Sequence, residues 1–135
     1  MATQNIPDMK CPCPGTLTVQ PSLNAKGVST VSDTDAWNNL QNDMPGGLAI
    51  MAFYLAVAAA APTDCGGDCG KPSVTQTNGP TGYAGSATKD KDTGVTTWEY
   101  TWTFTLNVTV VCDHPKKALT LHRPELIVVE KKKEP

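Results

Sequence analysis

Arg123 is the sole arginine of this chain, and histidine occurs only at His114 and His122. Nucleic-acid readers depend on arginine-rich basic stripes for phosphate and base contacts. Here the one dense basic run, Lys131-Lys132-Lys133, stands at the C-terminus between Glu130 and Glu134, and the formal net charge is −2. That pattern describes a solvated tail over 131–135, and no nucleic-acid partner is expected. Enzyme signatures are missing as well. There is no phosphate-binding glycine loop ending in Lys-Ser/Thr, no Gly-x-Ser-x-Gly elbow and no His-Glu-x-x-His. Cys112 and His114 come nearest to a dyad, yet residues two apart on a strand are about 6–7 Å apart at Cα and no third group orients them. The chain is read as a non-enzyme.

Long apolar runs are also scarce, with one exception. Leu48–Ala61 reads Leu-Ala-Ile-Met-Ala-Phe-Tyr-Leu-Ala-Val-Ala-Ala-Ala-Ala, and no charge occurs from Met44 to Thr63. As a helix it would extend about 21 Å, against a hydrocarbon core of about 30 Å, and aspartates rather than lysines flank it. No membrane span is expected. A helix apolar on every side is more simply buried in protein. The opening residues, Met1 to Lys10, have no basic flank followed by an apolar run, so no secretory signal is expected there, a processed precursor apart. With Met1 as the native start, synthesis in the cytoplasm is expected, and a particle assembled there and later released fits equally.

What the chain has in quantity is threonine, glycine and proline: eighteen, eleven and eleven. This mix favours strands and turns over a helical bundle. From Trp98 to Cys112 the even positions are Trp, Tyr, Trp, Phe, Leu, Val, Val and Cys, all apolar. The odd positions from Thr97 to Thr109 are Thr, Glu, Thr, Thr, Thr, Asn and Thr. Side chains on a strand alternate between faces, so this is a strand with one buried and one polar face. Its length, roughly 50 Å, far exceeds that of an ordinary strand of about 5–6 residues.

Shorter signals surround it. Thr16–Gln20 and Val28–Val31 read as two short strands, arranged as a hairpin. Ser32-Asp33-Thr34-Asp35 caps a helix that Trp37, Leu40 and Met44 continue, held to one or two turns by Asn38, Asn39 and Asn42. Ser73–Thr77 and Tyr83–Thr88 read as separate strands within a long polar connection. Asp90-Lys-Asp-Thr-Gly94 is a hairpin turn rather than a calcium loop, because its glycine falls one place early for an EF-hand. Ala118–His122 and Glu125–Glu130 read as a return strand interrupted at Pro124. Asn107-Val-Thr109 fits a glycosylation sequon but lies mid-strand, so Asn107 is read as structural.

Five cysteines fall in three groups: Cys11-Pro-Cys13, Cys65-Gly-Gly-Asp-Cys69 and Cys112. Three readings stand open. Cys11, Cys13, Cys65 and Cys69 form a tetrathiolate for zinc or iron, although the single residue between Cys11 and Cys13 falls short of the usual zinc spacing of about two to four; a variant of this site draws on Cys112 and His114. Alternatively the first pair is crosslinked to the second, which would stabilise the fold by about 3–4 kcal/mol and leave Cys112 over. In a reducing compartment several remain free thiols.

The expected fold is α+β, mainly β, in one domain spanning 1–135 with an N-terminal arm over 1–10. An antiparallel sheet is built on the long strand (about 95–112), and the Ala-rich buried helix (about 48–61) packs on it. The expected function is a structural subunit of a larger homo- or hetero-oligomer, such as a virion, filament, shell or surface layer, with copies of itself or other structural subunits as partners. It would associate through strand and arm contacts, with Thr101, Thr103 and Thr105 facing a neighbour and the long strand offering a free backbone edge. The alternative is a small Cys-rich module holding zinc or iron; no other cofactor is expected.

Overall fold

The computed structural model of the protein describes residues 2–67 and 69–112. The expected return strand, both histidines and the tail 131–135 lie outside these residues. In chain order the elements are β1 (Thr3–Asn5), β2 (Gly15–Val19), β3 (Ser22–Ser29), α1 (Asp33–Asp43), α2 (Gly47–Ala60), β4 (Ser73–Lys89) and β5 (Thr96–Cys112). The fold is α+β, mainly β: one antiparallel five-stranded sheet with both helices on a single face.

The alternating segment is β5, 17 residues long, and it is the spine of the sheet. Its even side chains Trp102, Leu106, Val108, Val110 and Cys112 are buried, as a period of two requires. β4 runs along one edge from Ser73 opposite Val111 to Lys89 opposite Thr96. β2 and β3 share the other edge, β3 opposite 98–105 and β2 opposite 108–112. They are not the expected hairpin, because both need β5 as partner and lie end to end. Pro21 joins them, and the Leu106 amide donates to its carbonyl at 2.9 Å. β5 therefore has no free edge to offer a neighbour. Among the described residues the open edge along its far flank belongs to β4.

β3 begins earlier than Val28, the expected start, and runs through Asn24 and Gly27. Gly27 is in the strand because α1 crosses directly over it. A Cβ at Gly27 would lie 2.1 Å from the Leu40 amide nitrogen and 2.3 Å from the Ala36 carbonyl. A side chain there would hold helix and sheet apart.

α1 runs to 11 residues rather than one or two turns. Ser32 Oγ accepts from the Asp35 amide at 3.0 Å, satisfying one of the first-turn donors. Asn39, instead of breaking the helix, donates from its side chain to the Val28 carbonyl at 2.9 Å. Ala36 and Leu40 face inward and are fully buried. Trp37 packs on Tyr83 and Tyr100, at 5.3 and 5.2 Å between ring centroids.

α2 packs on the sheet through Phe53 and Val57, both fully buried, with Phe53 and Tyr54 against Phe104. Its burial is narrower than uniform apolarity predicts. Leu48 is 86% exposed, Met51 61% and Leu55 67%. One flat sheet covers one stripe of a helix, and no second layer lies above α2 among the described residues. No single helix among them is long and apolar enough to cross a membrane; α1 and α2 pass that test only together, across a bend of 62°.

The first ten residues do more than trail. β1 pairs with β3, and Met9 is buried in the core. At the other end of the sheet, Asp90 Oδ1 accepts from the Asp92 and Thr93 amides, and Gly94 takes φ +73° to close the β4–β5 hairpin.

Candidate functional site

The ends of three neighbouring strands bring the cysteines together. Cys13 precedes β2, whose first residue, Gly15, lies opposite Cys112 at the end of β5. Cys69 precedes β4, whose first residue, Ser73, lies opposite Val111. Cysteines remote in sequence thus stand at one end of the sheet. Cys11 is bonded to Cys65 and Cys13 to Cys69, with Cα separations of 5.4 and 6.2 Å. All four cysteines named as metal candidates are therefore engaged in crosslinks between the N-terminal segment and the glycine loop. Cys112 is the free thiol, 3% exposed, and its Sγ lies 3.6 Å from that of Cys13.

The loop that presents Cys65 and Cys69 is pinned by its own backbone. The Cys65 amide donates to the Gly70 carbonyl at 2.7 Å, and the Cys69 amide to the Gly66 carbonyl at 3.2 Å. Gly66, Gly67 and Gly70 take φ of +64°, +51° and +65°, a region open to glycine at no steric cost. Asp64 Oδ1 accepts from the Gly66 amide at 2.8 Å. The sulfurs of Cys13, Cys69 and Cys112 all lie within 4.8 Å of one another.

A second feature is the outer edge of β4. This 17-residue strand is exposed along almost its whole length, with only Gln76 and Gly79 partly buried. No strand among the described residues pairs with its outer edge. It replaces the two shorter strands expected at 73–77 and 83–88. The Gly79-Pro80 break is absorbed by a register shift between Asn78 and Thr81, where Pro80 can sit because an edge strand tolerates a missing N–H. From Ser73 to Thr88 β4 carries no charged side chain.

Thr101, Thr103 and Thr105 are partly buried on the face of the sheet opposite α1 and α2. Thr101 lies between Lys26 and Ala84, and Thr103 between Asn24 and Gly82. Thr103 Oγ1 donates to Asn24 Oδ1 at 3.1 Å, while Lys26 and Glu99 form an ion pair at 3.2 Å. On the helix face, Tyr100 donates its hydroxyl to Asp33 Oδ1. That hydrogen bond, with some desolvation, holds the Tyr100 proton above the ordinary tyrosine range. Asn107 accepts from Gln20 at 2.7 Å, in keeping with a structural role.

A cavity of about 600 Å³ lies where β1 meets the α1–α2 corner, lined by Ala2, Gln4, Leu23, Asp43 and Ala49 among others. Asp43 is its one ionisable lining residue, and its Oδ2 accepts from the Lys26 amide at 2.9 Å. Sequence reasoning named the cysteines but not the edge of β4, whose glycines conceal any period of two. Compared with known protein families, characterised proteins and solved structures, the chain matches none.

Proposed function

We propose that the protein is a non-enzymatic structural subunit that associates with copies of itself, β4 against β4. The open outer edge of β4 carries this reading. Over 17 residues it offers roughly 60 Å of backbone that no other strand among the described residues pairs with. Natural sheets blunt such edges with charges, bulges or prolines. β4 has Pro80 and one register shift at its middle, but either side of them its pairing with β5 is regular and no charge occurs before Lys89.

Self-pairing suits this composition. β4 is charged only at its last residue, Lys89, and two antiparallel copies meeting about a twofold axis hold those lysines at opposite ends. The exposed residues Leu48, Met51 and Leu55 on α2 favour association for a separate reason. Burying each contributes about 1.5–3 kcal/mol, and α2 has no charge to repel a second copy. An edge and a helix face on one subunit allow growth beyond a dimer, as a shell or filament requires. Thr101, Thr103 and Thr105 then sit on a polar sheet face flanking the contact.

Light scattering and electron microscopy of the purified chain test this. Dimers or larger regular particles are expected, and Ala84→Lys with Ser86→Lys should reduce assembly at least tenfold while the far-UV spectrum stays unchanged. A wild-type chain that remains monomeric at every concentration sinks the reading. So does undiminished assembly of the lysine variant.

A further inference from the structure

We propose that in the reduced chain Cys13, Cys69 and Cys112 form a trithiolate site for a thiophilic divalent cation, zinc above all. This does not rest on self-association. The three sulfurs come from three segments and converge within 4.8 Å of one another. Thiolates around a tetrahedral zinc, each about 2.3 Å from the metal, stand about 3.8 Å apart. The Cys13–Cys112 sulfur separation of 3.6 Å is already close to that spacing.

Backbone pairing as well as the crosslinks holds these residues in place. Cys112 ends β5 and is held by the pairing of Gly15 with Cys112 and of Ser73 with Val111. The same pairing fixes Gly15, two residues after Cys13. Cys69 is held by the backbone hydrogen bonds of its glycine loop. When the Cys13–Cys69 bond opens, the sulfurs therefore stay close to one another. A buried thiol beside them then has a role beyond filling space, which a valine at 112 would do as well.

The chemistry balances with a dithiol reductant. It gives two electrons and two protons to the Cys13–Cys69 bond, yielding two thiols, and itself closes to a cyclic disulfide. The cation then displaces three protons from Cys13, Cys69 and Cys112, and water takes the fourth position. Soft thiolates select zinc over magnesium or calcium, which prefer oxygen. A more oxidising disulfide that takes two electrons from the Cys13 and Cys69 thiolates, and is itself reduced to thiols, would restore the crosslink, return the cation to solvent and leave Cys112 to regain its proton.

The test uses the full chain, reduced and kept anaerobic, titrated with Co²⁺ and then with Zn²⁺. One Co²⁺ per chain should bind, with thiolate charge-transfer absorption and visible bands of tetrahedral intensity that Zn²⁺ abolishes. Cys112→Ser and Cys69→Ser should each weaken binding at least tenfold, with far-UV spectra confirming that each variant keeps its sheet. A double variant, Cys11→Ser with Cys65→Ser, should bind within about threefold of wild type. Absence of the cobalt bands in the reduced wild type overturns the proposal. Cys112→Ser binding as tightly as wild type overturns it too, and would assign the metal to the other four cysteines.

Discussion

α1 and α2 are consecutive helices joined by Met44-Pro45-Gly46, yet they meet the sheet in opposite ways. α1 is polar, begins on a serine cap and sits so close over β3 that only glycine fits beneath it. α2 is wholly apolar, begins at Gly46 without a side-chain cap and touches the sheet along a single stripe. α1 is fixed by local chemistry and by a specific backbone approach. α2 is fixed by burial of Phe53 and Val57, and nothing in its composition distinguishes the stripe that packs from the one left outside. A mixed helix thus records its own orientation, and a uniformly apolar one leaves it to the neighbours.

The sharpest way to break this comparison is at the α1 crossing. Gly27→Val should prevent α1 from docking and leave no cooperative unfolding transition in denaturant. By contrast Gly47→Val, at the start of α2 where a Cβ meets nothing within 4 Å, should fold normally. If Gly27→Val unfolds cooperatively near the wild-type midpoint, the close approach is not what fixes α1. Within α2, Phe53→Ala should destabilise by about 3–5 kcal/mol, and Leu55→Ala by less than about 1 kcal/mol, both read from urea midpoints. Equal effects would mean that the outer stripe is covered within the subunit. The smallest effect belongs to the cap: Ser32→Ala should lose about 1 kcal/mol, within a range of about 0.5–2. No measurable change would place α1's stability entirely in its packing.

Much of the fold was legible because β5 states its pattern so strongly. The alternation identified both its existence and its buried face, and the apolar run at 48–61 yielded a helix on that face. The hairpin turn at Asp90–Gly94 followed from residues whose side chains cap their own backbone. What could not be read were features set by partners. Gly27 and Asn24 look like breaks until α1 and β5 are in place, so β3 was placed too late. Gly79, Pro80, Gly82 and Gly85 interrupt any periodic signal, so β4 looked like two fragments. β5's central position was hidden for the same reason. The pairing of Cys11 with Cys65 and Cys13 with Cys69 was one of three open readings, because spacing alone carries no third dimension. The approach of Cys112 to Cys13 depends on the strand register, which no local pattern specifies.

The connectivity of the two crosslinks has a mechanical consequence. Together they close a covalent ring through β2, β3, α1 and α2, and leave β4 and β5 outside it as an open hairpin. A force applied between the chain ends therefore passes from Cys11 through Cys13 and across to Cys69, the shorter of the two covalent paths. It peels β5 away from the ring and then draws out β4, while the elements inside the ring add no length at all. The spine of the sheet is thus the element that tension reaches, and its two flanking strands on the other side remain tethered. Reducing the crosslinks transfers the load to those strands, and the chain extends over its full length.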